Sequence, residues 1–286
     1  MKRLFVLVAT AVLLAGSALA QAPQAVTVPD SGEKKARALL DKMIQALGGD
    51  AYLNYTTRTD KGRTYTFYRG DPNSPSVQFV HNWQWPDKDS FQVAVAADMM
   101  LQDPVFGVPI DITKKSNIVT YIHNGDKGYE ITYRGTAAEE AKELREFLRR
   151  RAHSLEIVLR QWLKEPGTLV MYSGTAIADR RLVEEVTIIN SQNDSVTIAI
   201  DPDTYLPLRR IFTYRDEQNY KTDDVLVYAN YRKVEGIMAP MSVVRMRNDE
   251  MVGQQFLTEV HYNVAFEPAQ FEATVTYDPM APPKKK

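Results

Sequence analysis

The second half of the chain is a run of short segments in which apolar and polar residues alternate, and this pattern limits the fold most. The turn-forming gaps between the segments are short. Parallel strands need a connection of about a dozen residues or more, usually a helix, which these gaps do not provide. The pattern therefore predicts antiparallel strands joined by hairpins, at 169–176, 182–190, 196–200, 208–214, 225–231, 241–247 and 255–263.

The first half of the chain contains similar segments. Tyr65 and Phe67 alternate with polar residues, and the same alternation runs over 91–97. The stretch IVTYIHNGDKGYEITYRG is typical of a hairpin that turns at Asn124-Gly125. We therefore expect an α+β protein that is mainly antiparallel β.

One amphipathic helix is predicted before the first strand. Asp30 and Glu33 have the spacing of a capping box, and Gly48-Gly49 is a typical stop. Its apolar face consists of Ala36, Leu39, Leu40, Met43, Ile44 and Leu47. A helix with such a face packs against another element.

A second, longer helix is predicted in TAAEEAKELREFLRRRAHSLEIVLRQWLKEPG, capped by Thr136 and Glu139 and ended by Pro166-Gly167. Its apolar stripe is Ala141, Leu144, Leu148, Ala152, Leu155, Leu159 and Trp162. Its arginines lie mostly off the stripe: Arg145, Arg149, Arg150, Arg151 and Arg160. They form either a solvated face balanced by glutamates, which we favour, or a surface for an anionic partner.

The first twenty residues have the pattern of a secretory signal peptide. Lys2 and Arg3 precede an apolar run, and Ala18-Leu19-Ala20 is a typical cleavage site. The run is shorter than the roughly 20 residues that a membrane span requires. We therefore expect residues 1–20 to be removed, residues 21–279 to form one domain, and residues 280–286 to be a disordered tail. The mature chain would be periplasmic, without a transmembrane segment.

Composition excludes several function classes. The chain contains no cysteine, which removes thiol catalysis, cysteine-bound zinc and iron–sulfur clusters. Its formal net charge is −1, so it lacks the basic footprint of a nucleic-acid-binding protein. We expect stability to come from core burial, and no nucleic acid among the partners.

The stretch IDPDTYLPLRRIFTYRD raises the question of whether the chain is an enzyme. Asp201 and Asp203 are either paired carboxylates for acid–base chemistry or part of a turn. The flanking segments alternate up to and away from Asp-Pro-Asp, and Asp before Pro commonly starts a turn. We favour the turn, because a hydrated loop does not push two carboxyl pKa values apart.

Other catalytic motifs are lacking from the sequence. His81, His123, His153 and His261 have no metal-ligand spacing, and there is no nucleophile elbow, phosphate loop or dinucleotide fingerprint. We therefore expect a protein that is not an enzyme, with no catalytic residues, no metal and no cofactor.

Several predicted strands carry apolar residues on both faces. Val225 and Val227 mark one side of a strand, and Leu226 and Tyr228 mark the other. One face can pack on the helices. The second face is either filled core or, in a concave sheet, an apolar trough that the Met-rich segment ADMMLQDPVFGVPID would close.

The order of several motifs resembles a known family. The amphipathic helix is followed by WQWPDKDSFQV, IVTYIHNGDKGYEI, DPDTYLPLRR, YANYRKVEGIMAPMSVV and EVHYNVAFEPAQF. This order is similar to that of the periplasmic lipoprotein carriers, the LolA-like outer-membrane lipoprotein-sorting proteins. The likeness runs from about Glu33 to Phe271, and its C-terminal part is the more specific.

The resemblance implies a strongly curved, unclosed β-barrel whose opening is covered by helices and whose apolar cavity holds acyl chains. The expected cargo-binding residues are Phe67, Trp85, Phe91, Met99, Met100, Phe106, Phe212 and Tyr228. The family has an Arg before the Pro of its R-P-x-x-F segment, which helps govern the lid. Trp85 stands at that position here, followed by Pro86 and later Phe91.

Two function classes follow from the sequence. The first is a periplasmic carrier or chaperone that transports lipidated proteins or other acyl-chain cargo, with inner- or outer-membrane sorting components as partners. The second is a protein-interaction or sensor module on the same fold. Phospholipid or lipopeptide that co-purifies with the protein would favour the first class, and a stoichiometric protein partner the second.

Overall fold

A computed structural model of the protein describes residues 30–94, 118–178 and 180–280. The predicted signal peptide, the segment around Met99, Met100 and Phe106, and residues 281–286 of the predicted tail lie outside the described residues. The first seven strands are β1 Thr57–Tyr68, β2 Asp71–Pro72, β3 Val77–Gln84, β4 Lys88–Ala94, β5 Ile118–Asn124, β6 Lys127–Thr132 and β7 Gly135–Ala138. The later strands are β8 Leu169–Ala178, β9 Arg181–Ile189, β10 Ser195–Ile200, β11 Pro207–Arg215, β12 Lys221–Val234, β13 Ile237–Arg247 and β14 Glu250–Tyr262.

All these strands belong to one antiparallel sheet, in the order β7-β6-β5-β4-β3-β1-β14-β13-β12-β11-β10-β9-β8, with β2 paired to β1. The chain starts in the middle of the sheet and reaches the edge at β7. It then crosses to the opposite edge at β8 and returns to the middle, where Asp60 of β1 faces Val260 of β14. The two edges do not pair with each other in the described part. The predicted fold class, an unclosed, mainly antiparallel barrel with a few helices, is confirmed.

The predicted N-terminal helix is confirmed as α1, Asp30–Leu47, and a short α2, Asp50–Asn54, follows it. Its predicted apolar face is buried or nearly so. The stop at Gly48 has a steric reason as well as a conformational one. Its φ is +130°, and a Cβ there would lie 2.8 Å from the carbonyl oxygen of Gly236 in the β12–β13 turn. The end of α1 therefore sits directly on the sheet.

The single long helix predicted after β7 is wrong. Thr136 lies in β7 and does not cap a helix; α3 begins at Ala141 and ends at Ala152. A separate helix, α4, spans Leu155–Arg160, and its N-terminus is capped by the Ser154 side chain, which accepts from the N–H of Ile157 at 3.3 Å. A 3₁₀ turn, Trp162–Lys164, leads to β8. The chain can therefore change direction between α3 and α4.

Burial differs between these two helices. α3 has no fully buried residue, and Ala141 and Ala152 of its predicted stripe are exposed. The apolar part of α4 is buried, and it packs with α1 and α2 against the sheet. Large members of this core are Tyr55, Leu40, Met43, Val158, Ile188, Ile198 and Ile237. The apolar core therefore lies under α1, α2 and α4, whereas α3 covers a more polar region.

Candidate functional site

The candidate site is the inner face of the sheet, which is the face that α1, α2 and α4 cover. Phe212 of β11 and Tyr228 of β12 lie on it and are 2% and 9% exposed. Phe212 stacks between the rings of His153 and Tyr214, with centroid distances of 4.3 and 5.9 Å. Both predicted cargo residues are thus packed among other side chains.

The other predicted cargo residues are spread along the first half of the sheet. Phe91 is half-buried and stacks on Phe79, with the ring centroids 5.3 Å apart. Trp85 packs at the edge of the core, 5.9 Å from Trp83. Phe67 lies near the end of β1, beyond the residues that pair with β3, so the structure does not bring it together with the others. Met99, Met100 and Phe106 are outside the described residues.

A buried arginine joins the helices to this region. Arg160 is 6% exposed, and its guanidinium donates to the backbone carbonyls of Tyr55, at 2.8 Å, and of Tyr52. The same group lies 4.0 Å from the centroid of the Tyr55 ring and 4.9 Å from that of Trp85. Such cation–π contacts are strongest where water is excluded. Arg160 therefore fastens α4 to α2 and does not belong to a solvated helix face.

Two cavities lie beside the helices. One, of about 260 Å³, lies between α1 and the turn before β11 and is lined in part by Lys35, Lys42 and Glu184. The other, of about 220 Å³, lies between α3 and the ends of β11 to β13. Small-molecule sites usually enclose about 300–1,000 Å³ and are mostly apolar. In this conformation neither cavity is a ready-made acyl-chain site, because the space under the helices is filled by side chains.

A row of buried and half-buried ionisable groups crosses β1, β3, β4 and β5. His81 Nε2 lies 2.6 Å from Asp89 Oδ2, and His81 Nδ1 lies 3.7 Å from Asp60 Oδ2. The other oxygen of Asp89 lies 3.6 Å from His123 Nδ1, and His123 Nε2 lies 2.8 Å from Glu139 Oε2. We call Asp60, His81, Asp89, His123 and Glu139 the histidine–carboxylate row.

The histidines and carboxylates of the row stabilise each other's charged forms. Burial opposes the charged form of His81, but Asp89 and Asp60 outweigh it and raise the pKa of His81 to about 10. Burial likewise opposes ionisation of Asp89, but His81 and His123 hold the pKa of Asp89 well below its usual range. Burial is also outweighed at His123, whose pKa is raised by Asp89 and Glu139. Basic and acidic groups therefore alternate along the row, which stabilises this half of the sheet.

Sequence reasoning missed this row, because it treated the histidines as separate. The signal that could have found it is the hairpin at Trp85-Pro86, which sets Asp89 opposite Trp83 and so on the same face as His81. The next pairing sets His123 opposite Asp89. Within the described ranges, no group of three or more histidines and carboxylates is arranged to hold a metal ion.

A second charged region lies under α3 on the opposite side of the opening. Arg245 donates to Asp224 Oδ2 through Nε and Nη2, at 3.0 and 2.9 Å, and the fully buried Arg210 donates to Asp224 Oδ1 at 3.2 Å. Arg247 contacts Glu146 of α3 at 2.7 Å. With Arg149 and Arg150 of α3 these side chains form what we call the arginine cluster: Arg149, Arg150, Arg210, Arg245 and Arg247. The expectation that the helix arginines are solvated is therefore wrong for all but Arg145, which is exposed.

The turn at Asp201 is confirmed. Asp201 Oδ1 accepts from the backbone N–H groups of Asp203, at 2.9 Å, and Thr204, at 3.2 Å. The N–H of Tyr205 closes the turn on the carbonyl of Asp201 at 2.8 Å. Asp203 is exposed, and Asp201 is buried rather than hydrated as expected. The two carboxylates have separate surroundings, and Asp201 serves the backbone.

Two solved structures of other proteins have a similar fold over most of this chain. A DUF1329 family protein from Desulfovibrio piger is 12% identical, with a TM-score of 0.52 over 83% of this chain and 97% of its own. An outer membrane lipoprotein-sorting protein domain from Vibrio parahaemolyticus is 11% identical, with a TM-score of 0.50 over 84% of this chain and 96% of its own. No protein-family model and no curated protein sequence matches the chain.

At such identities the likeness concerns the fold. The resemblance to the lipoprotein-sorting proteins that the sequence motifs indicate is therefore confirmed as a shared fold. Among the described residues, no helix has the length and apolarity to span a membrane.

Proposed function

We propose that this protein is a periplasmic carrier that holds the acyl chains of lipidated proteins or other lipids without covalent chemistry. The observation that carries the proposal is the placement of α1, α2 and α4 over the inner face of an unclosed sheet, in a fold shared with a lipoprotein-sorting protein. Removing about 15 methylenes from water is worth on the order of 10 kcal/mol, at roughly 0.8 kcal/mol each. Burial alone therefore suffices to hold such a chain.

In this proposal the described conformation is the closed, empty state. The inner face is packed, so an acyl chain must replace the helices that cover it. α1 is the best candidate to move, because its outer contacts are polar and peripheral: Lys35 pairs with Glu184 at 3.2 Å, and Lys42 donates to the Tyr205 hydroxyl at 3.2 Å. Exposed ion pairs of this kind contribute about 0–1 kcal/mol.

The pattern of residues 1–20 supports export, and the proposed carrier domain covers residues 21–279. Lipoproteins and membrane sorting components, in the inner or outer membrane, are the proposed partners. We propose no catalytic step, because the members of the histidine–carboxylate row are paired with one another and none of them lines either of the two cavities described above.

The three tryptophans provide a direct test. Trp83, Trp85 and Trp162 all belong to or pack against the core under the helices. Bromine atoms quench tryptophan at short range, so 9,10-dibromostearate should quench the fluorescence saturably, whereas stearate should not. Stearate should also compete the quenching away. Absence of quenching at saturating, micelle-free concentrations would overturn the proposal.

A tethered variant tests the role of α1. Because the chain has no cysteine, Lys35→Cys with Glu184→Cys supplies the only two thiols, which a short bis-maleimide can join. The joined form should lose the quenching, and the unjoined double variant should retain it. Equal quenching in both forms would show that α1 stays in place and that cargo enters elsewhere.

The edge strand β8 favours a second candidate function, a protein-interaction module. β8 has only β9 as a neighbour in the described sheet, and Ile177 and Leu182, which face each other across this pair, are 78% and 60% exposed. An extended peptide could add a strand at such an edge. Ile177→Lys should then abolish capture of a polypeptide partner and leave quenching by dibromostearate intact.

A further inference from the structure

The arginine cluster carries more positive charge than its surroundings neutralise. Four of its five guanidinium groups, all but that of Arg149, contact only two carboxylates, Glu146 and Asp224, among the described residues. The rim of the neighbouring cavity does not make up the difference, because Lys142 and Arg145 there are balanced by Asp216 and Glu217. An excess of three positive charges therefore remains under α3.

The cluster also has hydrogen-bonding capacity left over. The Nε atoms of Arg210 and Arg247 are buried and have no hydrogen-bond partner among the described residues. Arg210 as a whole is 1% exposed. Buried donors are nearly always satisfied in folded proteins, so two of them in one charged cluster indicate a partner that binds there.

Neighbouring groups respond to the same excess of charge. Burial lowers the pKa of Arg150 to about 10, helped by the repulsion of Arg245 and Arg247. Burial, and then Arg210 and Arg149, hold the pKa of His153 below its usual value, although its hydrogen bond to the Arg149 carbonyl and Asp194 act in the other direction. The cluster thus holds like charges together at a local loss of stability.

A cavity of about 220 Å³ lies beside these groups. Arg149, Arg247 and Glu146 line it, together with Tyr214 and Thr222. Arg149 is held over the Tyr214 ring, 4.1 Å from its centroid, so its position is fixed by packing. The volume is large enough for a phosphate group, and the walls offer both guanidinium forks and hydroxyls.

We propose that the arginine cluster binds a phosphate group at this cavity. The planar fork of arginine matches the oxygens of phosphate and makes charge-assisted, bidentate bonds with them. The site continues the inner face on which acyl chains are proposed to lie, since the Arg210 guanidinium sits 4.8 Å from the centroid of the Phe212 ring. Resting on the proposed carrier function, the phosphate is that of an anionic lipid headgroup.

Binding of three probes tests this proposal by calorimetry on the full-length mature protein: inorganic phosphate, dihexanoyl phosphatidic acid and neutral dihexanoylglycerol. We expect phosphatidic acid to bind more tightly than dihexanoylglycerol. Arg150→Gln and Arg149→Gln should each lower the affinity for phosphatidic acid by about tenfold or more, which is the usual effect of losing a charge-assisted hydrogen bond. Arg37→Gln on α1, which removes the same charge from an exposed helix position, should leave the affinity unchanged.

The melting temperature without ligand distinguishes a binding role of Arg150 from a purely structural one. If Arg150 only stabilised the fold, replacing it would lower the melting temperature. Arg150→Gln relieves repulsion, so we expect its melting temperature to rise while its phosphate affinity falls. A lower melting temperature with unchanged affinity would overturn the proposal. Arg149 makes no ion pair among those described, so replacing it should not disturb the fold. The affinity of Arg149→Gln therefore tests the proposal even if Arg150→Gln folds poorly.

The three probes separate the source of the phosphate and the two proposals. Inorganic phosphate that binds as tightly as phosphatidic acid supports the site but assigns it to free phosphate. Equal binding of phosphatidic acid and dihexanoylglycerol overturns the phosphate site and leaves the carrier function standing. Binding of phosphatidic acid without quenching by dibromostearate overturns the carrier function and leaves the phosphate site standing. If neither inorganic phosphate nor phosphatidic acid binds, the phosphate site is overturned.

Discussion

Replacing Asp89 by Asn removes the central negative charge of the histidine–carboxylate row. Asp89 lies 2.6 Å from His81 and 3.6 Å from His123, and its side chain is 8% exposed. Breaking a buried ion pair by removing one partner costs about 3–5 kcal/mol. The His81 side chain is 29% exposed, so water screens part of its charge, and we expect a loss of about 3 kcal/mol at pH 7.

The change of stability with pH tests the same ion pair independently. The pKa of His81 is about 10 in the folded protein and 6.5 for an ordinary histidine, so its stabilising contribution is complete below about pH 6.5 and is lost as pH rises towards 10. One extra bound proton gives a slope of about −1.4 kcal/mol per pH unit between these limits. The pKa of Asp89 is lowered from 3.8, so its contribution is present above about pH 4 and lost in acid.

Urea unfolding at pH 7, 8 and 9 measures both the stability lost in Asp89→Asn and the slope of stability against pH. These pH values lie below the range in which ordinary tyrosines and lysines titrate. The parent should lose about 1.4 kcal/mol per unit, and Asp89→Asn should start lower and fall less steeply. Asp41→Asn makes the same chemical change on the exposed side of α1 and should follow the parent. A loss below about 1 kcal/mol at pH 7, combined with the parent's slope, would refute the reasoning.

Three further changes test the packing. Asp201→Asn keeps the Oδ1 acceptor of the turn and should change the free energy of unfolding by less than about 1 kcal/mol, whereas Asp201→Ala should lose about 1–2 kcal/mol, as urea unfolding would detect. Gly62 lies at a register shift in the pairing of β1 with β14, and Gly62→Ala should destabilise the protein by about 2–4 kcal/mol, because its Cβ would lie 2.0 Å from the carbonyl oxygen of Phe256; a parent-like melting curve would show that the backbone there adjusts. Leu40 lies on the buried face of α1 and is 2% exposed, so Leu40→Ala should cost about 2–5 kcal/mol, and a smaller loss by urea unfolding would mean that α1 is loosely held.

The strands could be predicted because their pattern is local. From β8 to β14 each segment alternates with a period of two residues, and turn residues separate the segments, so both the strands and the antiparallel order follow from the sequence. The same holds for the hairpin predicted at Asn124-Gly125, because Asn-Gly is a local turn signal; in the structure Gly125 and Asp126 form the loop between the paired residues Asn124 and Lys127. α1 was equally clear, because its apolar face and its glycine stop agree.

The break between α3 and α4 was missed because the apolar stripe runs through it. Ser154 is a good N-cap, but it falls within the apolar period of the predicted helix, which therefore gives no sign of a break there. The arginines were placed in solvent for a related reason: helical periodicity tells which residues share a face, but not what that face meets. Here Glu146 of α3 pairs with Arg247 of the sheet, so part of the polar face of α3 points inwards, while Lys142, Glu143 and Arg145 are exposed.

The histidine–carboxylate row and the arginine cluster depend on register across several strands. Asp60, His81, Asp89 and His123 belong to four different strands, and only the contact between His81 and Asp89 follows from a local hairpin, the one at Trp85-Pro86. Only the pairing of β1 with β3, β3 with β4 and β4 with β5 aligns them. Charged sites of this kind follow from topology, which is why the motif search of the sequence found none.

Native mass spectrometry of the protein purified from the periplasm of a bacterium that expresses it tests the carrier function most directly. The account predicts a population heavier than the bare chain by the mass of one phospholipid or lipopeptide, which gentle activation releases. It also predicts that the tethered Lys35→Cys, Glu184→Cys form, joined after delipidation, takes up none. A spectrum with only the bare chain, or with a stoichiometric polypeptide and no lipid, would contradict it.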